Sequence, residues 1–180
     1  METSQRKREP LNVFLVGADE YQVGVFKNAV GLAGISTVRA FEGAKKALAI
    51  MHQNGAPDIL FVWFGEENRD ALGLCRVVRN PETFAAPFLP IVAVMETATL
   101  PAVRSVRDVG VDEFLACPFS PKALAERVQA ITQDRRGFVH VPGYFGPDRR
   151  RGAMARYLGS DRRSTPSQLI DPLTEQRYTA

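Results

Sequence analysis

Short continuous apolar runs alternate along the first 134 residues with longer segments whose apolar positions recur every three or four. Val13-Phe14-Leu15-Val16-Gly17, Ile59 to Phe64 and Pro90 to Met95 have the pattern of strands buried on both faces. Ser36 to Phe41 reads as a weaker strand, and Val111 to Ala116 as a fifth. Helical spacing runs from Tyr21 to Ala33, where Gly34 provides a stop, and from Glu42 to Asn54, with Ala44, Ala47, Leu48 and Met51 on one stripe and Gly55 after it. Asp70 is a candidate N-cap for a helix with Leu72, Cys75 and Val78 inward, ended by Asn80-Pro81. A fourth helix starts at Thr99 or Leu100 with Pro101 in its first turn and ends at Gly110. A fifth opens at Ser120-Pro121 and turns Leu124, Val128 and Ile131 inward. This alternation predicts an α/β domain, a doubly wound parallel sheet over residues 11–134. Right-handed crossovers would then align the carboxyl ends of the strands along one edge, where ligands normally bind.

The pattern stops after Asp134. Residues 135–180 read as a mostly irregular, partly disordered tail rich in Gly, Pro, Arg and Ser, with 164–180 a disordered end; residues 1–10 read as a disordered N-terminus. Phe138, Val139, Val141, Tyr144 and Phe145 are apolar enough to dock as an arm on the sheet edge or on a second chain.

Composition adds a charge asymmetry. The tail carries nine arginines and no lysine against four acidic residues, a net +5, so the first 134 residues hold −2 of the chain's +3. A mildly acidic domain joined to an arginine tail suggests an anionic partner for the tail. No apolar run has the length of a membrane span, and Met1 to Pro10 lacks the apolar core of a signal peptide. A cytoplasmic protein without membrane contact is expected, with Cys75 and Cys117 as reduced thiols. Two histidines and two distant cysteines give no metal-ligand spacing, and no nucleophile–base pair or Gly-rich phosphate loop is visible, so no metal, no catalytic residue and no enzyme activity are expected.

Residues 12–133 resemble the response-regulator receiver (CheY-like, flavodoxin-like) family. Gly110-Val111-Asp112-Glu113-Phe114-Leu115-Ala116-Cys117-Pro118-Phe119-Ser120 is similar to its Gly-Ala-x-x-aromatic-apolar-x-Lys-Pro-Phe segment, and Asp58 to Trp63 to its Asp-Leu-apolar-apolar-x-Asp strand. The resemblance implies strand order 2-1-3-4-5, two-component signalling, and a cis Cys117-Pro118 bond. It also implies five site positions: an acidic Mg²⁺-binding pair, an acceptor aspartate, a hydroxyl and a lysine. A gapless reading puts Gly17, Ala18, Trp63, Met95 and Cys117 there. All five depart from the pattern. Phosphoryl transfer needs an oxygen nucleophile and a metal that neutralises developing charge, and indole supplies neither. Gly17 and Ala18 offer Mg²⁺ no side-chain oxygen, Met95 cannot donate to a phosphoryl oxygen, and Cys117 is no cation. Trp63, Met95 and Cys117 are therefore expected to fill the former pocket with apolar bulk, with no Mg²⁺ bound. The alternative, a conventional phosphorylated receiver, would slip the first loop and use Asp19 and Glu20 with Mg²⁺, Glu66 and Glu67 lying near the same edge.

A receiver without its acceptor reads as a signalling adaptor that binds a signalling or motility protein, or a second copy of itself, independently of phosphorylation. The resemblance places the partner surface on the fourth helix, fifth strand and fifth helix, around Val103, Arg107, Phe114 and Lys122, with the Phe114 rotamer fixed rather than switched. The tail resembles those of some alphaproteobacterial stand-alone receivers. It repeats Tyr-apolar-Gly-small-Asp-Arg-Arg twice, at Tyr144 to Arg150 and Tyr157 to Arg163. Arginine forks bind phosphates and the guanine O6/N7 edge, and tyrosines offer stacking. The rival function is thus a cyclic di-GMP effector using Tyr144, Asp148, Arg149, Arg150, Arg151, Tyr157, Asp161, Arg162 and Arg163. Nucleic acid is a less favoured tail ligand, supported by electrostatics alone.

Overall fold

The computed structural model describes residues 10–65, 70–149 and 168–179. Five parallel strands form the central sheet: β1 (Leu11–Val16), β2 (Ile35–Phe41), β3 (Ile59–Phe64), β4 (Ile91–Met95) and β5 (Glu113–Ala116), in the order β2-β1-β3-β4-β5. Five helices connect and cover them: α1 (Glu20–Ala29), α2 (Ala44–Asn54), α3 (Ala71–Val78), α4 (Leu100–Asp108) and α5 (Pro121–Gln133).

The continuous apolar runs are explained by two cores, one on each face. Alternate side chains of a strand point to opposite faces. Phe14, Val16, Leu60, Val62, Ile91, Ala93 and Met95 meet Ala47 and Met51 of α2, Leu74, Cys75 and Val78 of α3, and Val106 of α4. Val13, Leu15, Ile59, Phe61, Trp63, Val92 and Val94 meet Phe26 of α1 and Leu124, Val128 and Ile131 of α5.

Local signals set most boundaries. Asp19 caps α1 in a reciprocal box with Gln22, and Thr99 and Ser120 accept backbone N–H bonds at the starts of α4 and α5. The predicted first helix ends earlier, at Ala29, and tightens into a 3-10 turn over Val30–Ala33 before Gly34 takes φ +71. Asp70 precedes α3 but makes no capping bond, because its backbone (φ −88, ψ −2) is not in the extended conformation that aims a cap side chain at the first turn. Cys75 and Val78 are buried as the pattern suggested, but they are joined by Ala71 and Leu74 rather than by Leu72. The Cys117-Pro118 peptide is cis, as the resemblance implied.

The tail corrects the sequence reading. Helical and long-strand periodicity ends at Asp134, yet four short strands form a second, antiparallel sheet: β6 (Phe138–Val141), β7 (Tyr144–Pro147), β8 (Gln168–Ile170) and β9 (Arg177–Thr179), in the order β7-β6-β8-β9. The end expected to be disordered therefore contributes β8 and β9. Pro142-Gly143 turns the β6–β7 hairpin, Gly143 taking φ +80. Phe138, Phe145 and Ile170 form a small buried cluster with Phe88, the three phenylalanine rings lying 5.1–5.5 Å apart. The arm expected from the apolar tail residues thus docks on this same chain. It sits against the α3–β4 and α4–β5 connections, at the amino ends of β4 and β5. Backbones meet closely there: a Cβ on Gly146 would stand 2.8 Å from the Cα of Gly110.

Candidate functional site

The carboxyl ends of β1, β3, β4 and β5 carry the residues in question. Gly17 follows β1 with φ +83, a conformation that favours glycine, and Ala18 is buried. Trp63 is 4% exposed and packs its indole beside Phe119, with ring centroids 6.4 Å apart. Met95, also buried, faces the other side of the sheet, among the residues of α2, α3 and α4. Of the three residues expected to fill one pocket, only Trp63 and Cys117 share a face; Met95, next to the in-register partner of Trp63, points away by strand alternation. Cys117 is half-buried, and its thiol pKa is pushed up, first by desolvation and then by the Glu96 carboxylate.

Glu96 is the residue that the sequence reading missed. Its Oε1 accepts from the Trp63 indole N–H at 2.8 Å and from the Gln22 side-chain amide at 2.6 Å. A buried indole needs an acceptor for its N–H, and a carboxylate directly after a buried strand was the available signal. Asp19, half of the alternative acidic pair, spends Oδ1 on the Gln22 backbone N–H at 2.7 Å, as a helix cap. Glu20 lies within α1, and Glu66 and Glu67 lie outside the described residues. Among the described residues no three His, Cys, Asp or Glu side chains gather into a metal-binding group. The strand end that would carry the acceptor holds an indole N–H paired with a carboxylate, with no side-chain oxygen on Trp63 to attack phosphorus.

On the proposed partner face, Phe114 is 36% exposed, Arg107 is exposed beside Asp108, and Lys122 projects into solvent near Glu126. Val103 is half-buried against the core.

The tail residues divide. Tyr144 donates its hydroxyl to the Pro147 carbonyl at 2.8 Å, and the Arg149 guanidinium lies 4.1 Å above its ring. Arg149 also pairs with Asp108 at the end of α4, at 3.1 Å. The Asp148 backbone N–H closes onto the Gly137 carbonyl at 2.7 Å. Arg150, Arg151, Tyr157, Asp161, Arg162 and Arg163 lie outside the described residues. Tyr144 and Arg149 meet at the amino end of the sheet, across the length of β4 from Trp63, and so belong to no common site with it.

No family model matches the chain. It is 28% identical over 134 residues to the transcriptional regulatory protein GltR of Pseudomonas aeruginosa, covering 73% of this chain and 52% of that one. It is 24% identical over 107 residues to the probable transcriptional regulator ycf27 of Guillardia theta, covering 59% of this chain and 39% of the relative. The chain therefore spans about half the length, or less, of these curated relatives. Among solved structures, a response regulator from Chloroflexus aurantiacus superposes with a TM-score of 0.60 at 27% identity, over 68% of this chain and 98% of that one. The chemotaxis protein CheY4 of Vibrio cholerae superposes with a TM-score of 0.58 at 18% identity, over 68% and 99%; that likeness shows the fold alone. The homologues and structural neighbours are response-regulator receiver (CheY-like) domains, and the five-stranded sheet with its helices has their fold. No helix among the described residues is long and apolar enough to cross a membrane.

Proposed function

We propose that this chain is a two-component signalling protein whose receiver domain binds a protein partner without taking up a phosphoryl group. The observation that carries this reading is the Trp63–Glu96 bond of 2.8 Å at the strand end where an acceptor aspartate would stand. Indole is no oxygen nucleophile, and the neighbouring carboxylate repels an incoming phosphoryl anion rather than neutralising it. The partner face is that of α4, β5 and α5. Phe114 supplies an exposed aromatic anchor, and Arg107 beside Asp108 and Lys122 near Glu126 supply a polar rim of both signs, a combination suited to a partner with an apolar side chain among charged ones.

The test is capture of partners from the cells that make the protein, using the full chain and its Phe114→Glu variant, each with and without Mg²⁺ and a small-molecule phosphodonor. The reading requires the same proteins to be retained with and without the phosphodonor and to be lost from Phe114→Glu. Retention only after phosphodonor treatment would overturn it.

A further inference from the structure

One side chain at the carboxyl edge of the sheet ties the β4–α4 loop to the end of β3 and to the first turn of α1. Glu96 leaves β4 with its backbone N–H donating to the Phe64 carbonyl at 3.3 Å. Its carboxylate then reaches Trp63 at the end of β3 and Gln22 in the first turn of α1, at 2.8 and 2.6 Å. Both donors converge on the same oxygen, so that oxygen is held by two short bonds from two different elements. Gln22 is itself held, because its Oε1 accepts from the Asp19 backbone N–H at 2.9 Å. Gly65 gives the carboxylate room: a Cβ there would stand 3.0 Å from its atoms. Thr99, the cap of α4, follows Glu96 closely, so little slack separates the tied residue from the helix.

We propose that Glu96 is a built-in latch that fixes the β4–α4 loop and the start of α4, and so holds the α4–β5 face in one state with no phosphoryl group present. The latch rests on the reading above that this receiver works without phosphorylation. It gives Glu96 a part in presenting the partner face that it does not touch: it is a positioning residue, acting through α4. A carboxylate of merely structural value would change global stability alone. A latch changes the local opening of residues 97–108.

The chain has a single tryptophan, so its indole N–H gives one resonance. The latch predicts that this proton is protected from solvent exchange in the wild-type protein. Glu96→Ala is expected to accelerate backbone amide exchange across 97–108 roughly tenfold, as loss of a charge-assisted bond implies, and to leave β1 and β3 unchanged. Glu96→Gln, which keeps an acceptor without the charge, is expected to fall between the two, and Gln22→Ala to accelerate the same segment less. Wild-type exchange over 97–108 in Glu96→Ala, or an indole proton that exchanges like an exposed one, would overturn the proposal. If Glu96→Ala does not fold, the wild-type indole proton and Gln22→Ala decide it. No phosphodonor is present in any arm, so the outcome is separate from the functional reading. Phosphoryl uptake by a protein with a protected indole would defeat only the function, and a mobile loop in a protein that takes up no phosphoryl group would defeat only the latch.

Discussion

Arg79 and Asp112 form an ion pair at 2.6 Å with both side chains withdrawn from water, and the tail covers it. Arg79 also donates to the carbonyls of Gly110, Pro87 and Leu89 at 2.7–2.8 Å, and Asp112 accepts from the Ile91 backbone N–H at 2.8 Å. Phe138 of β6 lies over the guanidinium at 5.1 Å, and Arg135 approaches the second Asp112 oxygen at 3.7 Å. Arg135 and Arg136 donate to the carbonyls of Phe88 and Asp112. Burial lowers the Arg79 pKa, and Asp112 opposes that shift. The pair joins the end of α3 to the α4–β5 loop and gives the tail its seat.

Removing either partner leaves a buried charge, so Arg79→Ala or Asp112→Ala is expected to cost about 3–5 kcal/mol in urea unfolding. Replacing both, Arg79→Met with Asp112→Leu, should not restore stability, because three carbonyls and one N–H then lose their partners. Recovery to wild-type stability in the double variant would show that the pair is expendable.

Phe138 is fully buried, so Phe138→Ala should cost about 3–5 kcal/mol. It should also release the hairpin, seen as fast amide exchange over residues 138–147. A protein ending at Asp134 should likewise unfold at lower urea than the full chain, since Phe88 and the Arg79–Asp112 pair would face water. Equal midpoints would mean that the tail sheet contributes nothing to the domain.

Burial pushes the Cys75 thiol from an ordinary 9.0 up to about 12. The folded state therefore keeps this proton longer than the unfolded state does. The stability that the neutral thiol contributes is complete below pH 9 and is lost as pH rises from 9 toward 12, with a slope reaching about 1.4 kcal/mol per unit. Cys75→Ala should flatten that decline when both proteins are unfolded in urea across this range. An unchanged slope would place the titration elsewhere. Alkylation of Cys75 at pH 8 should require unfolding.

Trp63→Asp restores the acceptor type in name only. It removes an indole from the α1–α5 core and sets a carboxylate beside Glu96, so it should destabilise by about 3–5 kcal/mol. It should still take up no phosphoryl group, because Gly17, Ala18 and Cys117 supply neither metal ligand nor cation. Efficient labelling of this variant would mean that the remaining site is intact.

The five-stranded domain was legible because β1, β3 and β4 are buried on both faces and so read as unbroken apolar runs. The tail sheet was not. Its strands are three or four residues long, its hydrophobic cluster among the described residues is small, built on Phe138, Phe145 and Ile170, and its Gly, Pro and Arg content mimics an irregular segment. Arg79 and Asp112 escaped notice because charged residues in an amphipathic pattern read as solvated until packing buries them. At the site, Trp63 could be read from strand alignment. Glu96 was passed over because the gapless reading stopped at Met95, whose side chain belongs to the other face, although a carboxylate directly after the buried strand was there to be read.

The most direct test of the central claim is intact-mass spectrometry of the full chain after incubation with Mg²⁺ and a small-molecule phosphodonor, beside a conventional receiver as control. A phosphorylated control beside an unmodified protein is the expected result. A phosphoryl adduct mapped to Asp19, Glu20 or Glu96 would contradict it.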